Sequence, residues 1–127
     1  MVTVDRQPTT RVLTMPKDTN AAGDIFGGWI MAQVDIAASI AAHRRARGRV
    51  VTVAVNEFQF HQPVFVGDLI SCYADITRVG NTSLTVHVEV IAERDRGTEQ
   101  RLKVTEANLT FVAVDAQGNK RPVPEID

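Results

Sequence analysis

The sequence predicts an α+β domain in which an antiparallel sheet wraps around one long central helix. Three observations carry this reading. A single extended helical pattern runs from Gly27 or Gly28 to Ala46, and everything after Gly48 is patterned as strand. The strands follow one another mostly through tight-turn signals, which leaves no room for crossover helices and implies antiparallel pairing. At 127 residues the chain is expected to be a single domain, residues 1–127, because single domains commonly run to about 100–150 residues.

Thr9 to Met15 reads as a short first strand closed by Pro16. The turn-rich Lys17-Asp18-Thr19-Asn20-Ala21-Ala22-Gly23-Asp24 follows as an exposed loop. The helix is apolar on nearly every face until His43-Arg44-Arg45-Ala46-Arg47, which predicts an element surrounded by protein. Basic residues in the last turn suit the helix dipole, and Gly48 reads as the left-handed cap. Val50 to Phe60 is rich in β-branched residues, and in Asp68 to Val79 the residues Ile70, Cys72, Ala74 and Ile76 share one side. Gly80-Asn81 marks a hairpin turn, after which Leu84, Val86, Val88 and Val90 alternate with Thr85, His87 and Glu89. Arg96-Gly97 makes the next turn, and Gln100 to Val114 is the last strand, with Ala107, Leu109, Phe111 and Ala113 on one face. The tail from Ala116 reads as irregular. One helix cannot cover every apolar surface and edge of such a sheet, so the subunits are expected to pair about a two-fold axis.

The composition narrows the function. A net charge of −1, with 44% hydrophobic and 23% charged residues, suggests neither nucleic acid nor a membrane surface as partner. The lone Cys72 cannot form an internal disulfide, which fits a reducing cytoplasm. The start, Met1 to Pro8, has no hydrophobic signal core. The apolar run in the helix is interrupted by Gln33, Asp35 and Ser39 and is shorter than a membrane span. A cytoplasmic protein is the expectation.

Within the apolar helix, Asp35 is the anomaly, since burying an unpaired charge costs several kcal/mol, roughly. Met31 and Ser39 share its face by the four-residue rule. It is either a base strengthened by burial or the partner of an arginine on a neighbouring strand. Gly27-Gly28 at the helix start, with N–H groups unpartnered in the helix, could receive a carbonyl oxygen that becomes negative in a transition state. The same two glycines could simply make a tight turn and close packing. Other motifs fail on residue type. Asp18, Asn20 and Gly23 imitate half a calcium loop, but Ala22 and Trp29 stand where ligands are needed. Gly23 to Gly28 has phosphate-loop spacing, with Trp29 where lysine is required. His43, His61 and His87 are scattered and no metal spacing is present. His87 is expected to be solvated, and Cys72 to be inert packing.

Met15-Pro16-Lys17-Asp18-Thr19-Asn20-Ala21-Ala22-Gly23-Asp24-Ile25-Phe26-Gly27-Gly28-Trp29-Ile30-Met31-Ala32-Gln33-Val34-Asp35 closely resembles the YciA-type acyl-CoA thioesterases, which have the hotdog fold. The likeness continues through Gly48 to Val53, which includes Arg49 and Thr52, then Pro63 to Asp68, Thr105 to Ala107 and Phe111 to Asp115. It implies hydrolysis of acyl-CoA to a free acid and coenzyme A, with Asp35 as general base or nucleophile. It also implies Asn20 positioning the thioester or water, and an oxyanion hole at the Gly27-Gly28 backbone. Thr52, Arg49 and the turn Gly80-Asn81-Thr82-Ser83 fall at substrate-binding positions, although relatives commonly carry Gly-Arg-Ser-Ser in that turn and Asn81 here removes a cation. The resemblance implies a homodimer as minimal unit, with Asn20 and Asp35 of one site drawn from different chains, and a hexamer built as a trimer of dimers. No metal and no cofactor are expected beyond coenzyme A as part of substrate and product. Two other functions fit such a chain: a non-catalytic acyl-CoA sensor, and a hydratase or dehydratase. The latter usually needs a histidine beside the acid, and Asn20 to Asp35 contains none.

Overall fold

The computed structural model describes residues 6–95 and 99–126. Strand β1 spans Thr10–Leu13, helix α1 Gly27–Ala46, β2 Val50–Phe60, β3 Leu69–Val79, β4 Ser83–Asp95 and β5 Glu99–Ala113, with one short 3-10 turn at Pro16–Asp18. The strands form one sheet in the order β1-β3-β4-β5-β2, and every neighbouring pair is antiparallel. The single helix over a curved antiparallel sheet is the architecture expected from the sequence. The turn expected at Arg96-Gly97 and the chain start up to Asp5 lie outside the described residues.

The helix packs through one stripe, Ile30, Val34, Ala38, Ala42 and Ala46, spaced four apart, with Ala37 beside it. Against it the sheet presents Leu84, Val86, Val88 and Val90 of β4 and Ala107, Leu109, Phe111 and Ala113 of β5, all 0–1% exposed. The alternation read in β4 and β5 therefore marks the helix-facing side. The alanines bring the helix close to the sheet, and the large side chains come from the strands.

Three expectations are corrected, and the partner of β2, which the sequence left open, is found. The helix is not enclosed on all sides within the chain: Met31 is 45% and Ile36 48% exposed on the face turned away from the sheet. β2 does not pair with β3. It crosses the domain and pairs with β5, and residues 61–68 make the connection as a loop. The left-handed position ending the helix is Arg47, at φ 54°, and the N–H groups of Arg47 and Gly48 both donate to the His43 carbonyl. His87 is half-buried on the outer face, with Nδ1 2.9 Å from Asn108 Oδ1, and is not simply solvated. Cys72 is buried, and burial pushes its thiol up to about 11, which suits inert packing.

β2 is also an irregular edge. Bulges interrupt its register between Thr52 and Ala54 and between Asn56 and Gln59, and Glu57 within the second has a φ of 55°. Val53, Val55 and Phe60 along it are 55%, 42% and 51% exposed. An apolar helix face and an apolar edge strand thus lie open together. Among the described residues no helix is long and apolar enough to cross a membrane.

Candidate active site

Asp35 lies one turn beyond Met31 on the helix, at the border between the stripe packed on the sheet and the open face, and is half-buried. Its Oδ1 accepts a 2.7 Å hydrogen bond from the Thr52 hydroxyl of β2. This corrects two readings. The carboxylate is not fully buried within the chain, and its protein partner is a neutral hydroxyl; among the described residues no arginine pairs with it. Thr52, expected at a substrate-binding position, is the residue that donates this bond. One oxygen is thereby fixed while the rest of the carboxylate remains accessible, the arrangement a base or nucleophile requires.

Asn20 and Gly27 meet in a separate cleft of about 370 Å³. Ile25, Ile30, Phe60 and Val64 give it apolar walls, and Asn20, Asp24, His61 and Gln62 add polar groups. Asn20 Oδ1 accepts from the N–H groups of Ala22 at 2.9 Å and Asp24 at 3.1 Å, so the side-chain carbonyl shapes the loop. That leaves its amide N–H₂ as the group able to donate to a ligand. Gly27 and Gly28 are the first two helical residues, and their N–H groups have no acceptor within the helix. The Phe60 ring lies over Gly27, 3.4 Å from where a Cβ would stand.

Asp35 does not line this cleft. It sits seven residues beyond Gly28, about 10 Å along the axis. One chain therefore brings Asn20, Gly27 and Gly28 together and leaves Asp35 with Thr52.

The remaining expected contacts gather at the far end of the molecule. Arg49 lines a second cleft of about 440 Å³ with Ser39, His43 and Arg44. The turn Gly80–Ser83 reaches the same end, since Ala113 N–H donates to the Thr82 carbonyl and Val114 N–H to the Arg49 carbonyl. Gly80 N–H donates to the Ser83 carbonyl at 2.8 Å, and Asn81 accepts from Val123 N–H at 2.8 Å. The turn is thus a closed hairpin pinned by the tail, about 30 Å along the helix from Gly27. Among the described residues no group of three or more histidine, cysteine or acidic side chains is placed to hold a metal.

His61, one of three histidines with no metal spacing in the sequence, lines the Asn20 cleft, and its Nε2 stands 3.6 Å from Glu106 Oε2. Its signal was position alone, directly after a long strand. Phe60 forms a wall of the same cleft, backed by Phe58 at a ring separation of 4.9 Å, whereas Trp29 packs on the core.

Gly28 separates the two readings of the glycine pair. Nothing in the chain lies within 4 Å of a Cβ built there, and its φ is not positive, so the fold does not require glycine. Gly28→Ala is expected to leave the chain as stable or to stabilise it by up to about 1 kcal/mol. If the space is kept for a ligand, kcat/KM falls at least tenfold in the same variant. Urea titration beside steady-state kinetics checks it; unchanged kinetics would make the glycine a matter of local geometry only.

Residues 22–99 match the family model described as the thioesterase superfamily. The acyl-CoA thioester hydrolase YciA of Salmonella typhimurium is 47% identical over 130 residues, covering 98% of either chain. Among solved structures, a hexameric hotdog-fold thioesterase of Campylobacter jejuni superposes with a TM-score of 0.90 at 45% identity, over 94% of this chain and 91% of the other. A hexameric broad-specificity acyl-coenzyme A thioesterase gives 0.90 at 44% identity, over 99% and 86%.

Proposed function

The chain belongs to the YciA-type acyl-CoA thioester hydrolases of the hotdog thioesterase superfamily, and from that premise we propose that it hydrolyses acyl-CoA thioesters to a free acid and coenzyme A. The single observation that carries the mechanism is the Asp35–Thr52 hydrogen bond, which presents a half-exposed carboxylate on an otherwise apolar helix face. Acting as base, Asp35 takes a proton from water as the new C–O bond forms at the thioester carbon. Acting as nucleophile, it forms an anhydride that water then opens. In both routes the C–S bond breaks, the sulfur leaves as the CoA thiolate and the net addition is one water. The Gly27 and Gly28 N–H groups stabilise the oxyanion, and the Asn20 amide orients the carbonyl or the water. The reaction uses no metal or other cofactor beyond the coenzyme A of the substrate.

The separation of Asp35 from Asn20 supports a site completed between subunits. The open helix face and edge strand β2, with Met31, Ile36, Val53 and Val55 exposed, supply the apolar surface for a two-fold dimer. The hexameric relatives support assembly as a trimer of dimers. Arg49 and the Gly80–Ser83 turn serve the nucleotide end of the substrate, with Asn81 contributing no charge.

A thiol-release assay across acyl chain lengths tests this reading. The expected result is one thiol and one free acid per acyl-CoA consumed. Tight acyl-CoA binding without thiol release would make the protein a sensor, and conversion with the thioester intact would make it a hydratase or dehydratase.

A further inference from the structure

We infer that the buried pair Asp68–Arg94, remote from the reacting groups, positions the backbone donors at the start of helix α1. Asp68 is 1% exposed. Arg94, near the end of β4, donates through Nε to Asp68 Oδ1 at 3.0 Å and through Nη2 to Oδ2 at 2.7 Å. The same Nη2 reaches the Pro63 carbonyl at 3.2 Å, and the guanidinium lies over the Phe65 ring, 4.7 Å from its centre. One rigid planar group thus grips both ends of the 63–68 segment and its middle. Asp68 Oδ2 also accepts from Phe65 N–H at 3.0 Å.

The gripped segment is what holds the approach to the helix. Ile25 N–H donates to the Val64 carbonyl at 2.9 Å, and Asp24 is bridged to Phe65. Ile25 stands two residues before Gly27, and Pro63, Val64, Ile25 and Gly27 all line the Asn20 cleft. The path from the ion pair to the proposed oxyanion donors is therefore short: side-chain bonds to Phe65 N–H and the Pro63 carbonyl, then the backbone bond from Ile25 to Val64. A buried ion pair adds little net stability compared with apolar residues of similar size, so stability alone does not account for placing one here. Control of loop geometry does. Asp68 and Arg94 touch no reacting atom and are positioning residues.

The inference rests on the thioesterase reading, and its test separates the two. Arg94→Lys keeps the buried charge compensated, so the chain should fold, but it loses the planar grip on Pro63 and Phe65. The double variant Asp68→Leu with Arg94→Met removes the pair without leaving a lone charge. Both are expected to lower kcat by about 10–100-fold with KM changed less than about threefold, as displacement of a catalytic group by an ångström does. With ¹⁵N-glycine labelling, the Gly27 and Gly28 amide resonances should move in both variants, and those of Gly80 and Gly118 should stay. Unchanged Gly27 and Gly28 resonances would overturn the inference, and so would shifted resonances with wild-type kcat. Absence of thiol release in the wild-type protein would instead count against the thioesterase reading, while the glycine spectra would still report on the positioning.

Discussion

Replacing Asp35 with asparagine or alanine is expected to lower kcat by about 10²–10⁴-fold, the range carried by a positioned proton-transfer group. The fold should survive. Asp35 is half-buried and its hydrogen-bond partner among the described residues, Thr52, lies on an exposed stretch of an edge strand. Neither variant therefore strands a buried polar group, and stability should change by no more than about 1 kcal/mol. CoA affinity should be retained, because the nucleotide end is proposed to bind at Arg49 and the Gly80–Ser83 turn, which make no hydrogen bond to the carboxylate among the described residues. Kinetics, a urea titration and CoA binding on the same preparations check all three. Near-normal kcat in the asparagine variant would remove Asp35 from the mechanism. A single turnover in ¹⁸O-water, with enzyme in excess, then tests for the nucleophile in the wild type. An anhydride opened at the Asp35 carbonyl carbon delivers an unlabelled aspartate oxygen to the first acid released and leaves the label on Asp35, whereas a base, or opening at the acyl carbon, labels the acid and leaves Asp35 unlabelled.

Thr52 refines this expectation. Thr52→Val removes the 2.7 Å bond and frees the carboxylate to rotate. Because the threonine is exposed, the cost falls on orientation and not on folding.

How much of this was legible in the sequence depends on whether the signal is local. The strands β4 and β5 were legible because alternation of Leu84, Val86, Val88 and Val90 with polar residues is a property of the segment itself. The pairing of β2 with β5 was not, since strand partnership depends on contacts between residues such as Val51 and Val112 that are far apart in the chain. The helix shows the same limit. Its apolar residues were plain, but nothing in their pattern said which would meet the chain's own sheet, as Val34 and Ala38 do, and which would stay open, as Met31 and Ile36 do. Reading Asp35 as fully buried followed from treating those faces alike. The site divided similarly. Asn20, Gly27 and Asp35 stood out because a charge in an apolar run and a glycine pair at a helix start are unusual by themselves. His61 and the Asp68–Arg94 pair carry no local signature, and only the loop from β2 to β3 gives them their place.

Mixing two inactive variants is expected to restore activity, and this follows from the geometry of the single chain. Asn20 and Gly27 share one cleft while Asp35 is bonded to Thr52 outside it, so the proposed site takes the two residues from two subunits. Asn20→Asp keeps the oxygen that accepts from Ala22 and Asp24, so the loop should persist, and replaces the amide donor with a charged acceptor. Asp35→Asn keeps the size and removes the base. Each variant alone should fall at least a hundredfold in kcat. Co-expressed at equal levels, half of the dimers pair one chain of each kind. Such a dimer holds one site with Asn20 and Asp35 both intact and one with both altered, which recovers about a quarter of wild-type activity for random two-fold pairing. If both residues acted from the same chain, every site in the mixture would carry a defect and activity would stay at the level of the single variants. Separating the mixed assemblies by two different affinity tags sharpens the contrast: dissociated to dimers, the doubly tagged fraction should reach about half of wild-type activity, whereas intact hexamers carrying both tags should stay near a quarter. Recovery confined to that fraction would place the catalytic carboxylate and its asparagine on opposite sides of a subunit interface. Activity there no higher than in the single variants would return the site to one chain and require the helix mouth to move toward Asp35.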